Sequence, residues 1–110
     1  MRDDQVYLRH ILDAIGKIET YIEGQTYESF CENDMMIDAV VRELEIIGEA
    51  TNNLSEHLRQ SHPEIPWHDA IDMRNFLIHE YFGVRTHIVW DTCKNDIPVL
   101  RSFIKAALND

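Results

Sequence analysis

Apolar residues recur at three- and four-residue spacing along nearly the whole chain, a period that predicts helices rather than strands. Leu8, Ile11, Leu12, Ile15, Ile18 and Ile22 form one stripe, with Asp3 or Asp4 placed to cap its start and Gly24 to end it. Tyr27-Glu28-Ser29-Phe30 reads as a short turn, after which Asn33 or Asp34 can cap a second long helix. The stripe of that helix, Ile37, Val40, Val41, Leu44, Ile47, Leu54 and Leu58, is widened by Met36, Ala39, Ile46 and Ala50, so a central position is expected. Within it Gly48 costs about 1 kcal/mol in helix propensity relative to Ala, which implies that neighbouring backbone passes close by.

Ser61-His62-Pro63-Glu64-Ile65-Pro66 breaks the pattern. Pro66 suits the first position of a third helix that runs through Trp67 to about Tyr81 and ends before Gly83. From Thr86 a fourth helix shows heptad spacing, Trp90, Ile97 and Ile104 in one series and Cys93, Leu100 and Ala107 in the other. Pro98 should kink or restart it, with Asn95 a local cap. Two-residue alternation and internal repeats are absent, so the expected architecture is all-α, a four- to five-helix up-and-down bundle forming one domain over residues 1–110.

Composition is consistent with that architecture: 45% of residues are hydrophobic, and with only 4 Gly and 3 Pro neither disorder nor a turn-rich β fold is favoured. No uncharged apolar run reaches the roughly 18 residues of a membrane helix, and Met1-Arg2-Asp3-Asp4 is unlike a signal peptide, so a cytoplasmic protein with no membrane partner is expected. Cys31 and Cys93 form no Cys-x-x-Cys pattern and are read as reduced packing residues. The net charge of -10 argues against nucleic acid until its distribution is considered. Residues 1–73 carry five Lys/Arg against sixteen Asp/Glu, whereas residues 74–110 carry five against four. An anionic ligand is steered to the last third, and the acidic remainder suits a basic partner or a solvated surface.

The chemistry concentrates in Arg74-Asn75-Phe76-Leu77-Ile78-His79-Glu80-Tyr81. Arg74 interrupts an apolar helical face made by Trp67, Ala70, Ile71, Leu77 and Ile78, and Tyr81 falls about 20° from it around the axis. Asn75 precedes His79 by one turn and can orient its ring, while Arg74 and His79 are separated by roughly 140°. A two-fold dimer packed through this helix would gather two copies of each around one cleft. Histidines to move protons and arginines to stabilise phosphoryl oxygens suit RNA cleavage, with the 2'-hydroxyl as nucleophile and no metal or other cofactor. A zinc site is not expected, because His79-Glu80 lacks a second histidine at position 83, which is Gly, and His57, His62, His68 and His87 make no i,i+4 pair. Glu45 and Glu49 share a face with Arg42 and read as a solvated ion-pair face, and in a purely structural alternative Arg74 pairs internally with one of them. Trp67 and Trp90 read as core or interface.

The motif resembles the Arg-x4-His-x-Tyr form found in HepT-like toxins of the HEPN superfamily. Leu44-Glu45-Ile46-Ile47-Gly48-Glu49-Ala50 and Ile88-Val89-Trp90-Asp91 are similar to the same family, so the resemblance covers nearly the whole chain. It implies a homodimeric, metal-independent endoribonuclease toxin, neutralised by an MntA-type nucleotidyltransferase that transfers AMP to the motif tyrosine. Carried over by position, Arg74 and His79 are the catalytic residues, Asn75 the orienting residue and Tyr81 the modified phenol. The alternative within the family is a non-catalytic HEPN module that docks a nucleotidyltransferase.

Overall fold

The computed structural model describes the backbone of residues 2–79 and 86–109, and the side chains of 3–75 and 86–109. Among the described residues seven α-helices follow one another: α1 (Arg2–Ile22), α2 (Tyr27–Cys31), α3 (Asp34–Asn52), α4 (Glu56–Ser61), α5 (Trp67–His79), α6 (Thr86–Asp91) and α7 (Ile97–Asn109). A five-residue π-helical turn, Thr92–Asp96, joins α6 to α7. The fold is an all-α bundle, with no strand among the described residues. Tyr81 and the expected helix end before Gly83 lie outside the described residues.

The bundle is organised around α3, which packs on α1 along one side and on α5 along the other, while α7 closes against α1. The stripes read from the sequence supply the core: Leu8, Ile11, Ile15 and Ile18 of α1, Val40, Leu44 and Ile47 of α3, and Ile97 and Ile104 of α7 are all buried. Each such side chain contributes about 1.5–3 kcal/mol when fully buried, so the apolar seam holds the helices in place. Trp67 is buried too, and its indole N–H donates to the carbonyls of His62 (3.0 Å) and Arg59 (3.3 Å) at the end of α4. Trp90 is partly buried against Phe30, ring centroids 5.0 Å apart.

Local signals were honoured where side chain and backbone act within one turn. Asn33 caps α3, its Oδ1 accepting from the Met36 amide at 3.0 Å. Gly24 ends the α1 segment at a φ of 75°, the left-handed region where glycine has no steric penalty.

Four local expectations are corrected. Asp3 and Asp4 do not cap α1, because the helix already begins at Arg2 and both fall in its first turn. Asp4 instead reaches across the fold and accepts from Ser55 twice, from the amide at 2.8 Å and from the hydroxyl at 2.6 Å. The second long helix does not continue to Leu58: α3 stops at Asn52, and Ser55 starts α4 by accepting from the Leu58 amide at 3.1 Å. Residues 27–31 are a helix rather than a turn, opened by a reciprocal Thr26–Ser29 cap.

The fourth correction concerns Asn95, which lies inside a π-helical turn rather than at a cap; the helix is interrupted before Pro98 as expected, and α7 begins at Ile97. Proline has no N–H, and its ring collides with the carbonyl four residues earlier in a regular α-helix. The chain widens by one residue just upstream instead, and the Ile97 amide bonds back to the Thr92 carbonyl across five positions. Cys93, Ile97, Leu100, Ile104 and Ala107 all remain on the buried side.

Candidate active site beside the crossing of two helices

The site begins with the glycine of α3. A Cβ built on Gly48 would collide with the Cβ of Arg74, and would lie 2.8 Å from the Ala70 carbonyl oxygen and 2.9 Å from Arg74 Cγ. The close approach expected at Gly48 is therefore made by α5, at the turn that carries Arg74. A residue with any side chain at position 48 would hold the two backbones apart.

At this crossing Arg74 leaves α5 and spans to the next residue of α3. Its Nη2 lies 2.8 Å from Glu49 Oε2, and its Nη1 donates to Asn75 Oδ1 at 3.1 Å. The internal pairing weighed from the sequence is thus formed, with Glu49 and not with Glu45. Glu45 turns instead towards Arg42 at 4.0 Å, in an ion pair whose arginine is 71% exposed. The Arg74 side chain keeps 30% of its surface exposed and Glu49 keeps 54%, so the stronger pair is also open to solvent. Two contacts leave several of the five N–H donors of a guanidinium available to a ligand.

Arg74 lines a cleft of about 520 Å³ between α1, α3 and α5. Its polar wall consists of Arg42, Glu45 and Glu49 from α3 and Asn53 just past its end, together with Tyr7 and His10 from α1. The Tyr7 and His10 rings meet edge to face, 6.1 Å between centroids with planes at 87°. Two arginines balance two glutamates, so in a chain of net charge -10 this cleft is locally close to neutral.

Of the residues singled out in the sequence, Arg74 and Asn75 are brought into contact, and α5 runs unbroken from Trp67 to His79 so that Arg74, Asn75 and His79 share one helix. The His79 side chain and the whole of Tyr81 lie outside the described residues. His10 and Tyr7 were not anticipated. They sit on the polar edge of the α1 stripe, and only the packing of α1 on α3 turns that edge towards Arg74.

Burial pushes the Cys93 thiol up to about 12, which leaves it protonated and unreactive at neutral pH. Among the described residues no three His, Cys, Asp or Glu side chains come together as a metal site, and no helix is long and apolar enough to cross a membrane.

Comparison with known proteins places this chain in a family. Residues 11–107 match the family described as HepT-like, ribonuclease HepT-like. The chain is 43% identical over 100 residues to a Thermococcus cleftensis protein named "Probable ribonuclease HepT", covering 91% of each. It is 40% identical over 108 residues to a protein of Caldanaerobacter subterraneus subsp. tengcongensis named as a candidate RNase, covering 98% of this chain and 96% of that one. It is also 42% identical over 103 residues to a Methanocaldococcus jannaschii protein named both as a gamma-glutamylcyclotransferase and as a candidate RNase, but spans only 46% of that longer relative. No solved structure matches the chain.

Proposed function

Because the chain belongs to the HepT-like ribonuclease family, we propose that it is a metal-independent endoribonuclease and the toxin of a toxin–antitoxin pair, with Arg74 and His79 as its catalytic residues. The observation that carries this reading is the placement of Arg74. The motif arginine lines an open cleft, ordered by two contacts yet 30% exposed, so N–H groups remain for a phosphate to reach.

The chemistry needs only the RNA and these side chains. His79 takes the proton from a ribose 2'-hydroxyl, whose oxygen attacks the adjacent phosphorus in line with the departing 5'-oxygen. Arg74 donates hydrogen bonds to the non-bridging oxygens, where negative charge builds, and its interaction strengthens in the transition state. The 5'-oxygen leaves with a proton delivered by a histidine, giving a 2',3'-cyclic phosphate and a free 5'-hydroxyl. A homodimer packed through α5 supplies that second histidine and doubles the positive charge over the scissile phosphate. Asn75, one turn before His79, orients the His79 ring, while its Oδ1 accepts from Arg74 Nη1.

In this reading the antitoxin is an MntA-type nucleotidyltransferase that transfers AMP from ATP to the Tyr81 phenol oxygen, releasing pyrophosphate. The added phosphate brings negative charge to a residue seven positions from Arg74 in the motif and repels the substrate backbone. The experiment is cleavage of RNA by purified protein in EDTA, beside Arg74→Ala and His79→Ala. Loss of one oxyanion-stabilising donor should lower kcat by about 10²–10³-fold, and loss of the proton-transfer group by about 10²–10⁴-fold. Equal cleavage by wild type and His79→Ala would remove the reading.

A further inference from the structure

We infer that Glu49 is a positioning residue for Arg74, fixing the plane of its guanidinium so that the remaining N–H groups face the cleft. The inference rests on the ribonuclease reading for its kinetic consequence, and on the ion-pair geometry alone for its structural one.

Three observations carry it. First, the guanidinium is held at both terminal nitrogens from two different helices, Nη2 by Glu49 Oε2 on α3 and Nη1 by Asn75 Oδ1 on α5. Anchors on both sides remove rotation about the end of a long, otherwise flexible side chain, which a single contact would leave free. Second, the approach at Gly48 brings the Arg74 stem against the α3 backbone one residue before Glu49, so the pair follows from the way the helices cross. Third, the neighbouring carboxylate, Glu45, is engaged by Arg42 instead, so each glutamate of the cleft has its own arginine.

A pair this exposed adds little to stability. Its effect on a reaction is larger, because a group held in place before the substrate arrives pays no ordering cost in the transition state, and misplacement by about 1 Å can cost on the order of 10²-fold in rate. The carboxylate also cancels the arginine's charge while the cleft is empty. Removing it should therefore leave RNA binding unchanged or tighter, and a fall in rate could not be ascribed to weaker binding.

The test uses the full chain with Glu49→Ala and Glu49→Gln. Arginine-labelled NMR should show separate Nη1 and Nη2 signals for Arg74 in the wild type. They should collapse to one averaged signal in Glu49→Ala and separate again in Glu49→Gln, whose amide oxygen still accepts from Nη2. With RNA as substrate, kcat should fall about 10- to 100-fold in Glu49→Ala without a rise in KM, and recover most of the way in Glu49→Gln. Separate signals that persist in Glu49→Ala overturn the inference whatever the activity. So does an unchanged kcat in Glu49→Ala when the wild type cleaves RNA. If the signals depend on Glu49 but the wild type cuts no RNA, the ribonuclease reading fails while the placement of the guanidinium by Glu49 stands.

Discussion

Gly48 of α3 lies directly against Arg74 of α5, so closely that the missing side chain of one residue sets the position of the other. The helices would separate if position 48 carried a methyl group, because one of the atoms it would meet is the Ala70 carbonyl oxygen, part of the α5 backbone. Gly48→Ala gains about 1 kcal/mol in helix propensity but incurs an overpacking cost of about 1–3 kcal/mol. A net loss of stability in urea unfolding is expected, together with weakening of the Arg74–Glu49 pair.

Arg74→Lys separates a structural arginine from a working one. Lysine keeps the charge but cannot reach Glu49 and Asn75 at once with a planar fork. An exposed ion pair contributes only about 0–1 kcal/mol, so the thermal midpoint should move little while RNA cleavage falls at least about tenfold. A large drop in stability with cleavage intact would mark Arg74 as a structural residue.

Asp4 joins the start of α1 to the turn between α3 and α4. The residue is 5% exposed, and its carboxylate accepts from both the amide and the hydroxyl of Ser55. Hydrogen bonds to a charged acceptor are worth about 1.5–3 kcal/mol each, so with two of them lost Asp4→Ala should cost about 3–6 kcal/mol in denaturant unfolding. Hydrogen exchange at the Ser55 amide should accelerate in the same variant.

The two cysteines should differ in reactivity. Cys31 is exposed, whereas Cys93 is buried with its thiol pushed up to about 12 by desolvation. A thiol reagent at pH 8 should modify one thiol quickly and the other only on unfolding. Above an ordinary thiol pKa near 9 the unfolded chain releases the Cys93 proton while the folded chain retains it, so stability falls as pH rises from about 9 towards 12. Cys93→Ala should flatten that alkaline loss, measured as unfolding free energy against pH.

The elements legible in the sequence were those decided within a turn or two of chain. The stripe of Leu8, Ile11, Ile15 and Ile18 is buried as its period requires, and the cap at Asn33 and the close approach at Gly48 follow from single residue types. The break after Asn52 was not legible, because Leu54 and Leu58 continue the apolar period while Ser55 is held by Asp4, 51 residues away. The same limit applied to the cleft. Arg74 could be singled out as a charge on an apolar face, but His10 gains its interest only from the helix packed opposite, and no period within α1 reports that.

Pro98 and the π turn before it form a compensated pair. The turn carries one residue more than an α-helix would need between Asp91 and Ile97, and that extra residue gives the proline ring room where a tighter helix has a carbonyl. Deleting Asn95 alone should drive the ring into its own helix, and replacing Pro98 alone should leave a bulge with no occupant. Made together, the two changes should cost less than the sum of their separate costs, leaving an uninterrupted helix whose buried seam still meets α1.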